Sequence, residues 1–208
     1  MDYKDEDEQV AAVKQWWDEN GKFVIGAIVL AIAGNFGWSA YQDNQIATAA
    51  AHSAAYQRVL DADATGDFAA VLEAAGAVQS SNAGSEYAHL ATLFAAKALV
   101  AQDDLSSAAT QLQGVVDAIG ADQPTGAEAR LRLATLLGAQ DQADAGLALL
   151  QANFPSVYQA RVFETRGDLL MQQNQREQAK AAYLEAQAAP GGSDLPLLSY
   201  KLNELADV

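Results

Sequence analysis

Ala96–Leu112 reads AKALVAQDDLSSAATQL, Ala134–Leu150 reads ATLLGAQDQADAGLALL, and Gly167–Tyr183 reads GDLLMQQNQREQAKAAY. The three stretches share one spacing. A small residue opens each (Ala96, Ala134, Gly167), and a second follows 12 positions on (Ala108, Gly146, Ala179). A bulky residue stands four positions beyond that (Leu112, Leu150, Tyr183). Leu99, Leu137 and Leu170 recur three positions after the opening residue, and polar strings (Gln102-Asp103-Asp104, Gln140-Asp141-Gln142, Gln173-Asn174-Gln175) mark a turn in the middle.

Small residues on facing helices let their backbones approach, and a large residue fills what space is left. This is the pattern of a helix pair repeated along the chain, with the spacing of tetratricopeptide repeats. The offsets between repeats are 38 and then 33, and a loop over Gly120–Gly126, containing Pro124, accounts for the longer one. A weaker pair is expected before these, with helices over 46–62 and 68–78 around Ala64-Thr65-Gly66-Asp67, followed by a loop over 79–84. Pro190-Gly191-Gly192 ends the last repeat, and Leu195–Leu205 can form a capping helix. A generic Ala-rich bundle is the alternative. The expected fold is all-α, a tetratricopeptide-like solenoid of three to four helix pairs plus a C-terminal cap, preceded by one membrane helix.

Composition agrees. Of 208 residues 46 are Ala, the best helix former, and only 4 are Pro. There is no Cys, which excludes thiolate metal sites, disulfides, thiol catalysis and Cys-linked lipid. The chain carries 27 acids against 12 bases, a net charge of −15. Nucleic-acid binding, which needs clustered Lys and Arg, is not expected. The acidic surface reads as a solvated face rather than as a site for basic segments.

Phe23–Tyr41, FVIGAIVLAIAGNFGWSAY, is uncharged. As a helix its 19 residues span ~28 Å, against a hydrocarbon core of ~30 Å. Trp16 and Trp17 before it, and Trp38 and Tyr41 at its far end, suit the headgroup level. Lys4, Lys14 and Lys22 precede the span, and the next base is Arg58, so the N-terminus is expected in the cytoplasm. A cleaved signal peptide is the rival, with Ala31-Ile32-Ala33 as a small-x-small site. It suits the acidic leader poorly. The expected organisation is a leader over 1–22, a span over 23–41 and a translocated domain over 42–208. Within the leader, Val10, Val13 and Trp17 share one face of a short interfacial helix over 9–20. Asn20-Gly21 is its expected stop, and the acidic head Asp2–Glu8 is expected to be disordered.

Two sets of binding residues follow. Helix A of each repeat lines a concave face in such arrays. The candidates are Leu90, Leu93, Lys97 and Val100; Glu128, Leu131 and Thr135; and Arg161, Glu164, Asp168 and Met171. In the span, Ala33 and Gly37 form a small-xxx-small pair, with Gly34 and the polar Asn35 beside them, a pattern that admits a second helix. No catalytic motif, phosphate loop or metal-ligand spacing is present, and His52 and His89 stand apart from any Ser–His–acid set. No enzyme activity and no cofactor are expected.

Asp7–Gly21, DEQVAAVKQWWDENG, resembles the leader of the YfgM family, bacterial inner-membrane proteins associated with the Sec translocon. Arg130–Ala134 (RLRLA), Glu164–Leu170 (ETRGDLL) and Leu195–Leu202 (LPLLSYKL) sit where that family has similar strings. The Ala-rich first helix pair departs from the family pattern. The resemblance implies a cytoplasmic leader, one span and a periplasmic tetratricopeptide-like domain. It further implies SecYEG and the membrane-anchored chaperone PpiD as partners, and a role in the folding or release of unfolded or nascent periplasmic proteins. A structural scaffold without client binding is the alternative.

Overall fold

The computed structural model describes the backbone of residues 3–207 and the side chains from residue 9 onward. Asp2, the first residue of the acidic head, and the side chains of the rest of that head lie outside this description. Among the described residues the elements are α1 (Tyr3–Thr65), α2 (Phe68–Ser81), α3 (Glu86–Ala101), α4 (Leu105–Ala118), α5 (Pro124–Ala139), α6 (Ala143–Leu149), α7 (Gln159–Gln172), α8 (Arg176–Ala188) and α9 (Leu198–Glu204). No strand occurs among them. The chain divides into two compact units, residues 1–51 and 52–208.

The leader is where expectation and structure part. Backbone helix begins at Tyr3, so the head is helical rather than disordered over Tyr3–Glu8. Asn20-Gly21 does not stop it. Gly21 lies inside α1 with the Trp17 indole 3.1 Å from where its Cβ would be, and the ring shields the bare backbone. The separate helices expected over 9–20, 23–41 and 46–62 are one element. A Gly in mid-helix costs only ~0.5–1 kcal/mol, too little to break a helix with long favourable runs on either side.

In the second unit the repeat pattern holds. Ala96, Ala108, Leu112, Ala134, Leu150, Ala179 and Tyr183 are all buried, as are Gly146 and Gly167. A Cβ on Gly146 would come within 2.8 Å of the Ala134 carbonyl, so the small residue there is what lets α6 lie against α5. Each pair turns the same way. Asp103, Asp141 and Asn174 all adopt the left-handed conformation at φ 60–63°, and Gly66 does so at φ 71°. A six-to-one hydrogen bond closes each turn: Asp104 N–H to Leu99 O at 2.9 Å, Gln142 to Leu137 at 2.8 Å, and Gln175 to Leu170 at 2.9 Å. Asp67 to Ala62, at 3.2 Å, repeats it in the first pair. The weakly patterned pair is therefore a full member of the array. Val59 of α1 packs with Val71, Ala75 and Val78 of α2 and Ala91 and Ala95 of α3.

Boundaries shift where Pro and burial dictate. Pro124 is the first residue of α5 rather than part of a loop, because its fixed φ suits a helix start. The cap is Leu198–Glu204 rather than 195–205, since Pro196 keeps the chain extended before it. Helix α2 runs on through Ser81. Helix α6 is only 7 residues long, and the buried Phe154 fills the space beyond it.

Candidate partner-binding cleft and membrane helix

Helices α3, α4, α5 and α7 enclose a cleft of about 500 Å³, inside the ~300–1,000 Å³ range of ligand sites. Its floor is apolar. Ala96 comes from α3, Leu112 from α4, and Leu131 and Leu136 from α5, all buried. Val100, 44% exposed, and Thr135 stand at the mouth. Three cations rim it: Lys97, Arg132 and Arg161. Of the helix A candidates, the structure brings Lys97, Val100, Leu131, Thr135 and Arg161 together here. A smaller hollow of about 270 Å³ adjoins it through Arg132, and Leu90, Leu93 and Glu128 line that one.

The charges are tied into pairs. Glu128 accepts from Arg161 Nη1 at 2.6 Å and from Arg132 Nε at 2.7 Å. Burial pushes its carboxyl up, but the two guanidiniums outweigh burial and hold it below the ordinary carboxylate range. The Glu128 hydrogen bond in turn raises Arg161. Lys97 Nζ donates to Asp63 at 2.7 Å, which ties α3 to the end of α1.

Four candidates are not open groove residues. Leu93 is only 5% exposed and belongs to the core with Ala96, Leu112 and Leu133, so only its edge reaches the smaller hollow. Glu164 and Asp168 are tied to α9 by ion pairs: Lys201 Nζ lies 2.8 Å from Glu164, which is largely covered, and 2.7 Å from Asp168, which stays partly exposed. Asp168 also accepts from the Tyr183 hydroxyl at 2.8 Å. Met171 is partly buried against the core cluster that includes Leu198 and Leu205 of the C-terminal end, as are Leu195 and Leu202. The charged end of the expected face is thus the seat of the capping helix. Its residues were counted from helix A alone, and a cap closing over them leaves no trace in that spacing.

Residues outside the helix A pattern also build the cleft. Arg132 is the main one. Its signal was the Glu128–Arg132 pair at i, i+4, a spacing that places the two side chains together. Leu105 and Leu112 come from helix B, outside the helix A spacing. His52 is held by Asn82, its Nδ1 2.9 Å from the amide nitrogen.

In the first unit, α1 presents one long apolar stretch, enough by length and composition to cross a membrane, none of it buried within the chain. Trp16, Trp17, Trp38 and Tyr41 are each at least half exposed, and the Trp38 and Tyr41 rings meet at a tilt of 34° with centroids 6.0 Å apart. Among the described residues, nothing beyond the chain neighbours and the helix's own backbone lies within 4 Å of a Cβ placed on Gly34 or Gly37. Ala33 and Asn35 are exposed beside them.

A family model described as a tetratricopeptide repeat-like domain matches residues 14–207. The ancillary SecYEG translocon subunit of Aggregatibacter actinomycetemcomitans is 30% identical over 201 residues, covering 97% of this chain and 98% of that protein. The protein of the same name from Escherichia coli (strain K12) is 30% identical over 208 residues, covering 98% of each chain. The one from Haemophilus influenzae is 27% identical over 201 residues.

The chain belongs to the ancillary SecYEG translocon subunits, the YfgM family.

The likeness to the ancillary subunits runs from leader to cap, through both units, so it covers the long apolar helix as well as the repeats. A single-pass protein of the inner membrane fits both observations. In this chain the strings that carry the resemblance have visible structural work. Arg130 donates to Ile119 O at 2.7 Å and Val116 O at 2.8 Å, capping the end of α4. Gly167 admits Tyr183, and Lys201 pins the cap.

Proposed function

We propose that this ancillary subunit is a membrane-anchored adaptor at the SecYEG translocon that assists release or folding of translocated proteins. Residues 1–22 lie in the cytoplasm, 23–41 span the membrane and 42–208 form the periplasmic domain. The full-length match to proteins named as ancillary SecYEG translocon subunits carries the reading. The lysine bias before the span supports the orientation. The anchor raises the local concentration of the repeat domain where chains emerge, so weak binding suffices. The α3–α7 cleft receives exposed apolar side chains of the unfolded or nascent chain. A PpiD-like membrane-anchored chaperone, implied by the family resemblance, is the second partner.

The test is co-purification of the full chain in mild detergent, with SecYEG subunits and a PpiD-like chaperone expected among the recovered proteins. Neither being recovered ends the reading. Protease treatment of intact spheroplasts should remove the repeat domain. A protected repeat domain reverses the orientation. Crosslinks from Thr135 to nascent periplasmic chains are expected, and Val100→Asp should reduce them. Unchanged crosslinks with partner assembly lost would favour a scaffold instead.

A further inference from the structure

We propose that the α3–α7 cleft selects extended peptide segments in which an apolar side chain stands beside an Asp or Glu. This rests on the cleft being the client site and names the class of segment it takes.

The cleft reverses the charge of the molecule around it. The chain as a whole carries 27 acids and 12 bases. Yet three bases and no acid line this cavity. Their partners stand outside it. Lys97 is paired with Asp63, and Arg132 and Arg161 share the one carboxylate of Glu128. Counted by direct ion pairs, three cations face two carboxylates. Glu164 also acts on Arg161 but is itself paired with Lys201, so the cavity lining keeps an excess of positive charge.

Donors are also left over. A guanidinium has five N–H donors. Among the described residues, Arg132 Nη2 and Arg161 Nε make no hydrogen bond, while the other nitrogens of both groups are engaged. A carboxylate next to a side chain seated on Leu112, Leu131 and Leu136 meets those free donors at the rim. A Lys or Arg in that place meets like charge. Outside the cleft the net-negative surface repels acidic segments, so the cleft is where an apolar–acidic segment finds a complementary field.

The test uses the full chain in nanodiscs and fluorescein-labelled decapeptides with a polar background. One peptide carries a single Leu flanked by Glu, one the same Leu flanked by Lys, and one Ser in place of Leu between the Glu residues. The Leu–Glu peptide is expected to bind about threefold tighter than Leu–Lys at low salt, the scale of an exposed ion pair, and the ratio should shrink in 0.5 M NaCl. The Ser peptide should not bind. The double variant Lys97→Gln/Arg161→Gln should erase the preference, and Thr135→Glu, at an exposed position whose hydroxyl bonds only its own helix, should invert it. Equal binding of the Glu and Lys peptides, or a preference that survives both variants, overturns the proposal. No binding by any peptide also overturns it. If the chain still co-purifies with SecYEG, the translocon reading stands without it. If the preference is found and co-purification fails, the translocon reading falls alone.

Discussion

Gly167 of α7 lies against the ring of Tyr183 of α8, so close that a Cβ at position 167 would overlap the ring atoms. The ring cannot retreat. It is 3% exposed, and its hydroxyl donates to Asp168 at 2.8 Å. Burial and the Asp168 carboxylate together push the hydroxyl pKa far up, so it remains a donor at every physiological pH. Gly167→Ala should therefore destabilise the chain by about 1–3 kcal/mol, the usual cost of overpacking. Gly76→Ala is the matched control. Gly76 also lies in a helix, but its Cβ would meet nothing within 4 Å, and the change should stabilise by about 0.5–1 kcal/mol. Urea unfolding of both variants checks the sign. Two effects in the same direction would remove Gly167 as the reason α7 and α8 pack closely.

The repeated turns differ in one detail. Asp67 and Asp104, each next to the left-handed residue, cap the following helix by accepting from Ala70 N–H and Ser107 N–H, both at 3.0 Å. Gln175 holds the equivalent place at φ −91°, ψ 62°, close to the −90°, 70° of Asp104, and makes no side-chain cap. Gln175→Asp should supply that bond and raise stability by about 1 kcal/mol, the typical worth of an N-cap. An unchanged or lower urea midpoint would show that the Gln175–Gln173 hydrogen bond, at 2.9 Å, is worth as much.

Glu128 sets an acid limit. Its carboxyl is held below the ordinary value of about 4.5, so its contribution to stability is whole above that pH and is lost as the pH falls through the depressed value. Glu128→Gln should be less stable than the parent at pH 7, and the gap should close as the pH drops below about 4.5. Stability measured against pH for both chains checks this. A gap that stays constant down to pH 3 would mean that the two arginines are not what Glu128 contributes.

The repeats were legible because burial imposes spacing. Ala96, Gly146 and Gly167 are small for a steric reason, and steric reasons recur at fixed intervals. The first pair was legible only weakly, because its small residues are drowned in Ala, and the turn at Gly66-Asp67 is its clearest match to the later ones. The cap over Glu164 and Asp168 could not be read from spacing, since Lys201 reaches them from 37 and 33 positions away in sequence. The cleft was half legible. Its helix A wall followed from the repeat, and its cations and helix B floor depend on how neighbouring pairs stack. The unbroken α1 went unread because Asn20-Gly21 is a stop signal only where the following residues do not favour helix.

The span offers a test of its own. Ala33 and Gly37 lie one turn apart with Asn35 between them, and among the described residues nothing beyond the local helix backbone and chain neighbours approaches Gly34 or Gly37. In lipid there is no hydrophobic gain from helix association, so close backbone approach at small residues and an interhelical hydrogen bond are what join two spans. Ala33→Leu together with Gly37→Leu should leave the fold and melting of the repeat domain unchanged, because no internal contact is altered. The same double variant should lower the yield of SecYEG subunits recovered with the chain in mild detergent. Asn35→Leu should lower it too, since a polar side chain in the hydrocarbon needs a partner that Leu does not supply. Recovery equal to the parent for both variants would mean that α1 only tethers the chain, and that the translocon is met through the repeats.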